Sequence, residues 1–176
     1  MRQRDAVKKF TVGFVTSIAV LWLGVWSYLE LGLAGVRADE NAPRWESRLM
    51  SSAVRASVRR SAGKIHNPVP PTEETIVAGG RLYINGCAGC HGELFKPPRP
   101  PETLYTAIPR LPQEGTPYSD AEVFWVVKHG IRRTGMSAYG PFYSDQQMWA
   151  IAGFIKEIKN LPPRVKEALE VSKNRS

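Results

Sequence analysis

The stretch Gly79-Gly80-Arg81-Leu82-Tyr83-Ile84-Asn85-Gly86-Cys87-Ala88-Gly89-Cys90-His91 decides the reading of this chain. Its last five residues are two cysteines three apart with histidine directly after, the spacing of covalent haem attachment. Two thiols on one helical turn reach the two vinyl groups along one side of a porphyrin, and the next residue lies under the iron. Other uses of the pattern fit less well. A redox Cys-x-x-Cys wants a βαβ context, whereas the surroundings here are helical in pattern. Structural zinc needs four ligands, and beyond the motif the chain offers only His66 and His129. A Cys87–Cys90 disulfide closes too small a loop to stabilise much.

Working outward, Thr72 caps a helix that opens on Glu73-Glu74, whose carboxylates suit the positive end of the dipole. The helix runs to about Asn85 and leads straight into Cys87. Gly79-Gly80 in its interior disfavour the helix by about 1 kcal/mol each, a cost usually offset where another backbone packs closely. Downstream, Ser119-Asp120-Ala121-Glu122 is a capping box opening a helix through Val123, Phe124, Val126 and Val127 that closes at Gly130. Ser144-Asp145-Gln146-Gln147 is a second capping box. Met148, Ile151, Ala152, Ile155 and Ile158 follow it at helical period beside Trp149 and Phe154, and Pro162-Pro163 stops the run. Pro101-Glu102 opens a shorter turn through Leu104, Tyr105 and Ile108. No stretch reads as a sheet, so the fold class is all-α.

A glycine, an aromatic residue four positions later and Cys-x-x-Cys-His after four more resemble the N-terminal signature of the class I cytochrome c fold. Gly79, Tyr83 and Cys87 carry that resemblance, which covers residues 73–162. It implies one covalent haem c, and a first helix whose glycine lets the last helix cross closely while the aromatic packs into the crossing. Trp149, Ala152 and Gly153 are the residues expected to meet Gly79 and Tyr83. It also implies that a proline carbonyl after the motif holds the second ring nitrogen of His91. Pro97, Pro98, Pro100 and Pro101 compete for that role, and Pro101 is the choice.

The resemblance implies a methionine opposite His91, in the loop before the last helix. An electron carrier wants both axial positions filled, and a thioether opposite histidine raises the potential. Of the four methionines, Met1 and Met50 lie outside the domain and Met148 sits in the apolar period of the last helix. Met136 lies in Thr134-Gly135-Met136-Ser137, with serine where the family commonly has proline. The expected site is therefore Cys87 and Cys90 for the thioethers, with His91 and Met136 on the iron. His129 is the rival to Met136, although its place in the last turn of a helix suits a dipole-favoured surface group. Trp125, Tyr105, Arg110 and Arg132 are possible propionate partners, and Arg132 with Arg133 could instead rim a docking face.

The chain has 176 residues and a formal charge of +8. Residues 1–72 hold 11 Lys/Arg against 5 Asp/Glu, and residues 73–176 hold 13 against 11. The excess sits away from the haem motif, which argues against nucleic acid and for membrane topology and surface contact. Phe10 to Leu29 carries no charged side chain, and a helix that long spans roughly the 30 Å hydrocarbon core. Arg2, Arg4, Lys8 and Lys9 precede it, so the positive-inside rule keeps the N-terminus cytoplasmic and puts the rest outside. Haem attachment on the outer side, which the resemblance implies, agrees. A cleaved signal peptide ending near Val36-Arg37-Ala38 competes, but the apolar run exceeds the usual length of one.

The expected organisation is a cytoplasmic N-terminus over 1–9, an anchor over 10–36, a basic tether over 37–72, a haem domain over 73–162 and a tail over 163–176. In the tether, Trp45, Leu49, Ala53 and Ala56 recur at helical spacing among Arg44, Arg48, Arg55, Arg59 and Arg60. An amphipathic helix on anionic headgroups, an arm along a partner subunit and a solvated linker all fit. Asn67-Pro68-Val69-Pro70-Pro71 makes a stiff joint before the domain. The function expected is membrane-anchored electron transfer to redox partner proteins, at the outer face of the cytoplasmic membrane in a respiratory or related chain. A fixed subunit of a larger membrane redox complex is the alternative. A haem sensor or peroxidase with an open distal site is a third, for which the sequence offers no catalytic constellation.

Overall fold

The computed structural model describes residues 2–37, 40, 42–96 and 107–173. The described elements are all helices: α1 (Arg2–Glu30), α2 (Arg44–Ala62), α3 (Glu73–Gly86), α4 (Ala88–His91), α5 (Leu111–Glu114), α6 (Asp120–His129), α7 (Asp145–Glu157) and α8 (Pro163–Lys173). They divide into two units, Met1–Arg37 and Ala38–Ser176.

The first unit is α1. Its apolar side chains are exposed on every face, with Phe10 stacked on Phe14 and Trp22 on Trp26. Within it, Thr11 Oγ1 donates to the Val7 carbonyl and Ser17 Oγ to the Gly13 carbonyl, each at 2.9 Å. The Thr11 and Ser17 hydroxyls are thus satisfied by their own helix, as a low-dielectric environment would require. Among the described residues, this is the one helix long and apolar enough to cross a membrane.

The second unit is built on the crossing of α3 and α7. A Cβ at Gly79 would come within 2.0 Å of the Ala150 carbonyl oxygen, so the two backbones touch there. Tyr83 packs on Phe154 with ring centroids 5.4 Å apart. The crossing is the one the glycine spacing predicts, and Ala150, Ile151 and Phe154 meet it. Trp149 instead stacks flat on Phe124 of α6 at 4.0 Å, and a Cβ at Gly153 would meet nothing within 4 Å. Both capping boxes form, Ser119 with Glu122 and Ser144 with Gln147. Thr72 caps α3 by accepting from the Thr75 N–H.

Two segments depart from the expected organisation. Pro162-Pro163 ends α7's run but does not leave a tail, because Pro163 opens α8, where a proline at the first helical position needs no N–H partner. Val165 and Leu169 of α8 are buried in the core, and the Leu169 side chain lies where a Cβ of Gly80 would be. The segment expected as a basic tether, 37–72, also contributes residues to the domain. Val58 and Ala62 of α2 are buried, α2 packs on α6, and both Ile65 and, in the proline-rich joint, Val69 pack on the core. Of the stripe read from the sequence, Trp45 and Leu49 stay 67% and 59% exposed, because a neighbouring set at i, i+4 and i+8 (Val54, Val58, Ala62) faces the domain. The turn expected over Pro101–Ile108 lies largely outside the described residues. Ile108 itself is non-helical, and a short α5 follows at Leu111.

Candidate haem site

The motif sits in a turn set by the end of α3. The Cys87 N–H donates to the Tyr83 carbonyl at 2.8 Å, and the N–H groups of Cys90 and His91 both donate to the Cys87 carbonyl. Gly92 follows at φ 100°, a left-handed conformation that favours glycine. The Tyr83 hydroxyl donates to its carbonyl at 2.8 Å. One buried tyrosine therefore serves the helix crossing and pins the exit of the motif. Its burial raises the hydroxyl's pKa, so it remains a donor across the ordinary pH range.

Beside this turn opens a cavity of about 350 Å³, within the size range of cofactor pockets. Cys87, Cys90, His91 and Met136 all line it, with Leu111, Val127 and Ile155 among its apolar walls. Both cysteines are unbridged. Burial, and to a lesser degree the neighbouring Cys90, push the Cys87 thiol up to about 11. His91 Nδ1 lies 3.0 Å from the Pro109 carbonyl oxygen. A carbonyl only accepts, so Nδ1 carries the proton and the lone pair is on Nε2. Burial lowers the His91 pKa, partly opposed by that hydrogen bond, which favours the neutral ring that iron ligation needs. The acceptor is thus Pro109. Pro101, with Pro97, Pro98, Pro100 and Tyr105, lies outside the described residues. The signal for it is a proline just before the Arg110-Leu111 turn, 18 positions after His91 and beyond the proline run at 97–101.

Met136 is held by a built loop. Its N–H donates to Thr134 Oγ1 at 3.1 Å and its carbonyl accepts from the Ile131 N–H at 3.0 Å. Gly130, at φ 66°, has the Met136 carbonyl oxygen 2.7 Å from where a Cβ would stand, so α6 can end only in glycine here. Arg133 also takes a positive φ, 62°, a conformation uncommon outside glycine. On the far side of the loop the Tyr139 hydroxyl donates to the Gly86 carbonyl at 3.0 Å, one residue before Cys87. Tyr139 stacks on Tyr143, whose hydroxyl lies 2.7 Å from where a Cβ of Gly86 would be. This tie between loop and motif was missed, since pairing a tyrosine hydroxyl with one distant carbonyl has no sequence signature.

Met148 is fully buried in the core, as its helical period indicates. His129 is exposed, lies 5.0 Å from the Trp125 ring, and does not line the cavity. Trp125, Arg110 and Arg132 are also absent from the lining.

Paired thiols, a histidine with one nitrogen occupied by a carbonyl and an apolar slot fit a covalently held porphyrin, and the all-helical domain around them is a monohaem class I c-type cytochrome domain. Residues 74–155 match the family described as cytochrome c oxidase, cbb3-type, subunit III. The match covers the haem domain and not the N-terminal helices. Comparison with curated proteins and with solved structures gives no match. The domain binds haem c covalently, and its chemistry is electron transfer through that haem.

Proposed function

We propose that His91 Nε2 and the Met136 sulfur would hold the iron of a haem joined to the chain through Cys87 and Cys90. One observation carries this reading. Both side chains line the same apolar cavity, and the other His91 ring nitrogen already has its acceptor in Pro109. Haem supplies the one-electron couple. The chain holds the ligands in one geometry, so that little reorganises between oxidation states, and the apolar lining keeps water from the iron. The protein then acts as an electron carrier with no reaction of its own. A sulfur-to-iron charge-transfer band in the oxidised spectrum, with slow carbon monoxide binding to the reduced form, is the expected result. Absence of the band with rapid carbon monoxide binding overturns His/Met ligation in favour of an open site.

In this reading α1 is a retained anchor, with the N-terminus cytoplasmic and the haem domain on the outer face of the cytoplasmic membrane. The supporting observations are the uncharged run, the Thr11 and Ser17 hydroxyls bonded within it and the basic residues before it. The family description favours a second placement for the same chemistry, as a fixed cytochrome subunit of a larger membrane redox complex such as a terminal oxidase. Purification from mild detergent with a haem stain decides between them. Stoichiometric co-purifying membrane subunits support the fixed subunit, and a lone haem-bearing chain supports the free carrier.

A further inference from the structure

α2 has two faces of different fate. Val54, Val58 and Ala62 turn toward the domain. Roughly opposite them, at about 100° per residue, run Trp45, Leu49, Ser52 and Ala56, spaced i, i+4, i+7 and i+11 and all exposed. Each of Arg44, Arg48 and Arg55 stands one residue before a member of this stripe or of its continuation, and is exposed along its flank. Arg59, on the same flank, already faces Glu122 at 3.7 Å. Glu46 is the sole acidic residue of the helix. A tryptophan and a leucine bordered by arginines suit the boundary between headgroups and acyl chains, where long cationic side chains reach phosphates while the apolar groups insert.

Chain length adds a second argument. α1 ends at Glu30 and α2 begins at Arg44. Fully extended, residues 31–43 reach about 45 Å at most, so a membrane holding α1 keeps α2 at high local concentration near its surface. We propose that the outward face of α2 is a binding site for anionic phospholipid headgroups, with Trp45 and Leu49 entering the interface and Arg44, Arg48 and Arg55 taking phosphates. The proposal rests on the reading of α1 as a retained anchor. A protein partner on this face is the competing outcome.

The test uses the full-length holoprotein in nanodiscs, with the photo-reactive p-benzoylphenylalanine in place of Trp45. Each arginine near an anionic surface is worth about a fivefold gain in partitioning. Lipid adduct at position 45 should therefore be several-fold greater in phosphatidylglycerol than in phosphatidylcholine discs. It should fall to the phosphatidylcholine level in an Arg48→Gln/Arg55→Gln double variant whose haem spectrum is unchanged. The same probe at Glu167 of α8 sets the background. Equal adduct in both lipids, adduct at background, or cross-linking to protein instead of lipid overturns the proposal. Alkaline carbonate extraction tests the anchor separately. Release into the supernatant overturns the anchor, whereas retention in the pellet with background cross-linking overturns the α2 site alone.

Discussion

Tyr139 and Gly86 lie 53 positions apart, yet one hydroxyl–carbonyl bond joins the loop that carries Met136 to the residue before Cys87. Phenylalanine at 139 keeps the stacking on Tyr143 and removes only this bond, worth about 1 kcal/mol. Tyr139→Phe should therefore keep the oxidised spectrum at room temperature but lose the sulfur-to-iron band at a lower guanidinium concentration than the parent, while helicity persists. A band as resistant as the parent's would show that the tie does not hold the methionine. Met136→Ala removes the sulfur proposed as the sixth ligand. It should abolish the band, lower the reduction potential and open the reduced iron to carbon monoxide, all read by optical titration. That Cys87, Cys90, His91 and Met136 belong together was legible from local patterns, and all four line one cavity. Pro109, Tyr139 and the Tyr83 hydroxyl were not legible, because what defines them is a distance to a backbone atom far along the chain.

At the scale of elements, the domain depends on two contacts at adjacent glycines. Gly79 admits the α7 backbone, and Gly80 admits Leu169 of α8. A methyl at 79 has only rigid backbone to push against, so Gly79→Ala should destabilise the holoprotein by about 3 kcal/mol or more, measured by chemical denaturation. Leu169→Ala leaves a cavity in a closed site and should cost about 2–5 kcal/mol. A loss under about 0.5 kcal/mol, the level of an ordinary surface change, would show that α8 is no part of the core. The capping boxes were readable because both partners lie within one turn. The reach of α8 was not, since Pro162-Pro163 looks the same whether it ends a chain of helices or opens the next.

At the scale of the whole molecule, every buried apolar side chain among the described residues lies between Val58 and Leu169, within the second unit, and the described residues of α1 contribute none. Replacing residues 1–37 by a cleavable export leader should therefore yield a soluble holocytochrome with an unchanged haem spectrum and denaturation midpoint. A haem-free or aggregated product would show that the first unit is needed for folding. Removing residues 40–64 as well should fail, because Val58 and Ala62 of α2 are part of the packing on α6. The basic segment read from the sequence as a tether thus has a structural role in the domain on one face and an open one on the other.

The sequence by itself determined the cofactor, the helical class, both capped helices and the uncharged apolar run of α1, because each is written in residues within a turn or two of one another. Tertiary structure decided which stripe of α2 is buried, that α8 closes the core, which proline carbonyl holds His91 and what fastens the Met136 loop. In each case several residues of suitable chemistry compete, and only the crossing of α3 and α7 brings one of them within contact.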